Sequence, residues 1–182
     1  EGLRIGAAIA QMDERIGSPM ALPPGNPPVK PGMQGDMSKP HTIVVDQSGE
    51  RYMRESCSYM DIARAMLERD RLSPAVPSWM VLDSQYMGTY MLAGTMPGAK
   101  KPKPWFEEQF LRRGDTLDEL ATACSMDPAK LRNSVERFNR FVRKGWDEDF
   151  HRGEHAYDQW LGDSLHQPSP TLGSIEKAPF FA

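Results

Sequence analysis

The run SPMALPPGNPPVKPGMQGDMSKP, residues 18 to 40, constrains this chain more than any other stretch. Proline fixes φ and lacks a backbone donor, and glycine is costly to order. Their density excludes both a helix and a central strand there. A loop of that length within a compact domain is uncommon, and serves as a lid, a binding loop or a mobile insert. Ahead of it, in GLRIGAAIAQM, Leu3, Ile5, Ala7, Ala8, Ile9 and Met12 recur at roughly helical spacing.

After the loop, HTIVVD (41 to 46) is β-branched and reads as a strand. QSG supplies a turn and ERYM a return strand, which together predict a hairpin. Tyr59, Ile62, Ala63, Met66 and Leu67 share one face of a helix over 59 to 70. SWMVLD (78 to 83) is a further strand. Residues 93 to 104 read as loop, and the lysines of KKPKPW as solvated. Thr116 and Glu119 then make a capping box. Asp127 and Pro128 start a helix with a buried stripe of Leu131, Val135, Phe138 and Val142, and Gly145 ends it. The segment WDEDFHRGEHAYDQWLGD reads as irregular. Few strands, several helices and long loops give an α+β fold: a small antiparallel sheet flanked by several helices, one domain over residues 1 to 182.

A chain of 182 residues can bury one core. Its net charge of −3 gives no electrostatic reason to expect nucleic acid or an anionic membrane as partner. No apolar run approaches the roughly 18 residues of a membrane span. Cys57 and Cys124 form no CxxC pair, which argues against a zinc site or disulfide framework and for a reducing cytoplasm. The chain starts at Glu1 without a signal-like segment and reads as a piece of something longer.

Asp147, Glu148, Asp149, His151, Glu154 and His155 invite a metal reading. Gly153 separates the two histidines, however, the HExxH order is absent, and the aspartate spacing fails an EF-hand. A polar loop packed through Trp146 and Phe150 is expected instead, with no metal. No GxGxxG or GxxxxGK[ST] element cradles a phosphate, no GxSxG elbow occurs, and neither cysteine has a neighbouring histidine. Among twelve methionines, Met20, Met33, Met37 and Met96 lie in loops and could line a pliable pocket, although methionines more often simply fill a core. Tyr59 remains. With Ser58 as N-cap it stands in the first turn of a helix, where partial positive charge favours a phenolate over a phenol. A tyrosine so placed can accept a proton; one on an apolar stripe can equally be a core residue with a satisfied hydroxyl.

The run TLDELATACSMDPAKLRNSVERFNRFVRKGWDEDFHRG, followed by YDQWLGD, PSPTLGS and APFFA, resembles flavin-dependent 3-ketosteroid dehydrogenases of the fumarate reductase and succinate dehydrogenase flavoprotein superfamily. The set Gly49, Arg51, Tyr52, Glu55 and Tyr59 also matches a ketosteroid-enzyme segment. Met60 and Asp61 beside the tyrosine, and the lack of arginine directly after Glu55, separate it from the fumarate reductase version. The resemblance implies a substrate (capping) domain inserted in a larger flavoprotein. It implies as partners a small-molecule, steroid-like ketone and the FAD-binding domain of the same chain. FAD is then expected to be bound by that missing domain, and weakly or not at all by this chain alone. The resemblance also implies that Tyr59 is the catalytic base, taking the proton beside the ketone while hydride passes to the flavin, and that Arg51 and Glu55 shape the turn. Two alternatives stand beside it. One is the cap of a fumarate reductase-like flavoprotein reducing an unsaturated acid, for which the sequence lacks an Arg and His cluster. The other is a non-catalytic binding module that uses residues 18 to 40 as its contact.

Overall fold

The computed structural model describes residues 1–11, 16–25 and 27–182. The first segment makes a single 3-10 turn, Gly2–Ile5, which Gly6 ends in the left-handed conformation. Leu3, Ile5 and Ile9 lie exposed, so their helical spacing marks no buried helix face, and Met12 lies outside the described residues. Within the Pro/Gly-rich run, where no helix was expected, a four-residue helix α1 forms (Gln34–Met37). It falls in the longest proline-free part of the run, residues 32 to 39, where successive amides can bond. Met20 and Gly32 meet in an isolated bridge that folds the rest of the run back on itself.

A four-stranded antiparallel sheet runs in the order β1 (Thr42–Val45), β2 (Trp79–Asp83), β4 (Phe180–Phe181), β3 (Arg113–Gly114). The partner of β1 is β2, with Ile43 opposite Val81 and Val45 opposite Trp79. The predicted hairpin shrinks to a single bridge between Val45 and Arg51. Asp46 Oδ1 takes the amides of Ser48 and Glu50, which bends the chain, and buried carboxylates then draw Arg51 inward.

Alternation along the strands divides the domain. On one face Ile43, Val45, Val81 and Phe180 pack on Leu120 of α5 (Leu117–Ala123) and on Leu131, Val135 and Phe138 of α6 (Pro128–Lys144). The other face presents Val44, Met80, Leu82 and Phe181 to α2 (Tyr59–Asp70), α3 (Ser84–Thr89) and α4 (Lys103–Glu107). α2 spans the predicted residues. The segment read as irregular contains one more short helix, α7 (Ala156–Leu161). Among the described residues no helix is long and apolar enough to cross a membrane.

The caps follow the sequence closely. Thr116 accepts from the Glu119 amide at 3.1 Å, while Glu119 reaches the Asp115 amide at 2.8 Å, one residue before the box position. Asp127 accepts from the amides of Ala129 and Lys130, and Gly145 at φ +75° closes α6. Asp127→Ala should therefore cost about 1 kcal/mol. It would read as a lower urea midpoint with an unchanged slope.

Candidate functional site

The sheet face carrying Val44, Met80 and Leu82 opens on a cavity of about 600 Å³. α2 contributes Ala63, Met66 and Leu67 to one wall; residues 17–22 form a strap over it; Gln109, Phe110 and Leu111, between α4 and β3, form the opposite wall. Among the described residues no charged side chain and no histidine lines it. Its polar side chains are Ser18, Ser78 and Gln109, beside an indole N–H of Trp79 that is donated to Gln47. Three of the four loop methionines, Met20, Met33 and Met37, do line this cavity together with Met66 and Met80, whereas Met96 is exposed elsewhere. Their occurrence in loops was the legible trace of the pocket.

Ser58 caps α2, accepting from the Asp61 amide at 3.2 Å and donating to the Asp61 carboxylate at 2.7 Å. Tyr59 is the first helical residue and is 39% exposed. Its hydroxyl has no hydrogen-bond partner among the described residues. Tyr59 shares a helical row with Ala63 and Met66, one turn ahead of the cavity wall. It does not itself line the cavity, and at 39% exposure it does not belong to the core either.

The segment leading into α2 is fixed by a buried ion network. Arg51 donates Nε and Nη2 to Glu55, each at 2.8 Å, and Nη1 and Nη2 to Asp147 at 3.0 and 2.7 Å. Glu55 also accepts from the Val44 amide in β1 and from Arg152 at 3.0 Å. Arg152 is fully buried and donates to the carbonyls of Met37, Lys39 and Thr42. The Arg51 guanidinium lies 4.9 and 5.0 Å from the ring centres of Phe138 and Phe150. Burial works against the Glu55 carboxylate, but Arg51 and Arg152 outweigh it and hold its pKa below the usual range. Burial likewise opposes the charge on Asp147, and hydrogen bonds from Arg51 overcome it. Arg51 and Glu55 thus tie the turn to β1 and to the loop after α6. At the other end of α2, Arg69 donates to Asp46 at 2.8 and 2.7 Å. The helix that bears Tyr59 is pinned at both ends.

Arg152 was invisible to sequence reasoning, since nothing in DFHRG marks its arginine as buried. The other candidate metal ligands disperse: Asp147 to Arg51, Glu148 to Lys144, Asp149 to Arg137, and His151 to Glu154. His155 sits at the N-cap of α7 without a side-chain capping bond. Among the described residues no His, Cys, Asp and Glu cluster is arranged to hold a metal. Burial pushes the thiols of Cys57 and Cys124 up to about 11 and about 12, so both are held as inert thiols. Lys101, expected to be solvated, is buried and donates to Thr95 and Met96. Burial lowers its pKa from the ordinary lysine value, and the nearby Asp36 charge offsets part of that.

Comparison with known proteins places this geometry. The chain is 35% identical over 184 residues to the 3-oxosteroid 1-dehydrogenase of Mycolicibacterium smegmatis, an alignment covering 98% of this chain and 32% of the relative. It is 34% identical to the 4-oxocyclohexanecarboxylate 2-dehydrogenase of Sinomonas cyclohexanicum, over 98% of this chain and 31% of that protein. The 3-ketosteroid delta1-dehydrogenase of Sterolibacterium denitrificans, solved in complex with 1,4-androstadiene-3,17-dione, superposes with a TM-score of 0.88 at 31% identity, over 99% of this chain and 32% of that one. The chain thus spans about a third of the length of these relatives.

The family model described as "FAD binding domain" matches residues 2–182. This overturns the expectation that FAD is left to a separate, missing domain: FAD binding characterises the family domain that this chain itself makes up. The absence of a GxGxxG element had suggested otherwise, because that motif marks only one way of holding a dinucleotide. The pyrophosphate of FAD finds the starts of both longer helices, α2 and α6, already occupied by Ser58 and Asp127. With the antiparallel sheet, the apolar cavity and a match running almost from end to end, the chain belongs to the FAD binding domain family and is related within it to the 3-ketosteroid dehydrogenases.

Proposed function

We propose that this chain supplies the substrate-side, capping part of an FAD-dependent oxidoreductase that removes hydrogen from adjacent carbons of a neutral, multi-ring ketone of the 3-ketosteroid type. The observation that carries this reading is the cavity of about 600 Å³ without a charged lining side chain among the described residues. That volume is within the range of small-molecule pockets. Each apolar Å² a fused ring system buries there contributes on the order of 25 cal/mol. A ketone bearing a carboxylate, or an unsaturated diacid, would have to bury its charge with no cation to meet it, at a cost of several kcal/mol.

When bound, FAD supplies a hydride acceptor. The chain's own residues do the rest. The methionine-rich walls adapt to the rings and exclude water. Tyr59, one turn before the cavity-lining Ala63 on α2, takes the proton from the carbon beside the carbonyl, and the pinned ends of α2 hold its approach.

The test is an anaerobic titration of the flavin-loaded protein, read by flavin absorbance. A 3-ketosteroid should bleach the flavin, while 4-oxocyclohexanecarboxylate should leave it oxidised. Bleaching by the carboxylate ketone alone would sink the neutral-substrate reading. Reoxidation of the reduced flavin by fumarate, with the ketosteroid inert, would make the protein a reductase.

A further inference from the structure

The wall of the cavity opposite α2 carries a polar side chain on an unfavourable backbone. Gln109 follows the C-cap of α4 at φ +60°, where glycine or asparagine is the usual choice. The turn itself is closed by backbone bonds, with the Leu111 amide 2.8 Å from the Trp105 carbonyl, so the local structure has no use for the glutamine side chain. Gln109 is solvent-exposed yet is one of the residues lining the cavity, and its side-chain amide has no protein partner among the described residues. The other polar groups are differently placed. Ser78 is engaged, receiving the Tyr52 hydroxyl at 2.6 Å and donating to the Ala75 carbonyl. Ser18 sits on the strap beside Gly17, which packs against Ala63 of α2.

The sheet sets the distance between the two walls. α2 packs over Val44 of β1 at one edge, and Gln109 precedes β3 at the other. Three inter-strand steps separate those edges, on the order of 14 Å. A ligand that follows the sheet from one edge to the other is therefore elongated, as a fused-ring system is.

We propose that Gln109 is a specificity-determining residue: its amide hydrogen-bonds an oxygen, ketone or hydroxyl, at the end of the ligand remote from the ring served by Tyr59. This rests on the function proposed above and deepens it by assigning a residue to the distal end of the ligand. The amide suits either oxygen, since its NH₂ donates to a ketone and its carbonyl accepts from a hydroxyl.

The flavin-loaded protein and its Gln109→Gly variant would be compared by calorimetry with two ketosteroids identical except for the distal oxygen. Wild type should bind the oxygen-bearing ligand about tenfold more tightly, the worth of one well-made hydrogen bond. Gln109→Gly should abolish that preference while its thermal stability stays equal or rises, because glycine accepts the backbone freely. Gln109→Leu should also lose the preference. If Gln109→Gly keeps the full tenfold preference, the residue only ends α4 and the proposal is overturned. If wild type binds neither ligand, the proposed function fails, and this proposal fails with it.

Discussion

Glu55→Ala is expected to destabilise the domain by about 3–5 kcal/mol, a large part of the roughly 5–15 kcal/mol that holds a domain folded. Two guanidiniums and two carboxylates form a nearly solvent-free unit, with Glu55, Arg152 and Asp147 at 0% side-chain exposure and Arg51 at 5%. Removing Glu55 leaves Arg51 with Asp147 but strips Arg152 of its one carboxylate, leaving a buried charge among carbonyls. The β1 amide of Val44 loses its acceptor as well. Urea denaturation measures the loss. Because the cost comes from the stranded partner, Glu55→Gln combined with Arg152→Met should cost less than the sum of the two single changes. Strict additivity would mean that the two groups do not act as a unit.

The same network predicts an acid-side weakness. The pKa values of Glu55 and Asp147 are depressed in the folded state, so the unfolded chain binds protons first as the pH falls. Their contribution is fully present above the ordinary carboxylate range, roughly pH 4, and disappears as the pH drops through the lower folded values. The urea midpoint should fall below about pH 4 in wild type, and less steeply in the double variant.

Tyr59→Phe should slow flavin reduction by a neutral ketone by about two to four powers of ten, the usual worth of a positioned general base. Stability should change by less than about 0.5 kcal/mol, because the residue is partly exposed at a helix start. The other tyrosines near this sheet face are poor candidates. Burial raises the pKa values of Tyr52, Tyr86 and Tyr90 above the ordinary tyrosine value, and each hydroxyl is already bonded, to Ser78, to the Asp36 and Met91 carbonyls, and to Asp163. Tyr52→Phe is the matched control, expected to cost stability more than rate. Single-turnover absorbance on the flavin-loaded protein separates the two. A Tyr59→Phe protein that reduces its flavin at the wild-type rate would return Tyr59 to a structural role.

The sequence by itself determined what depends on neighbours a few residues apart. Ser58, Thr116 and Asp127 cap helices because each side chain reaches amides two or three residues on, and Gly145 ends α6 because it adopts a positive φ freely. The stripe Leu131, Val135, Phe138 and the β-branched run of β1 announced a helix and a strand that must bury a face.

What the tertiary structure decided lies across long separations. That β1 pairs with β2 and not with its own return strand depends on Asp46 bending the chain and on Glu55 drawing Arg51 inward. That Arg152 is buried depends on a carboxylate 97 residues away meeting it. The burial of Lys101, and the meeting of loop methionines with α2 and Gln109 around one cavity, depend on how the 18–40 run folds back over the sheet. Local propensity is encoded within one turn of chain. A buried charge is tolerable only where its partner arrives, and only the complete fold determines that.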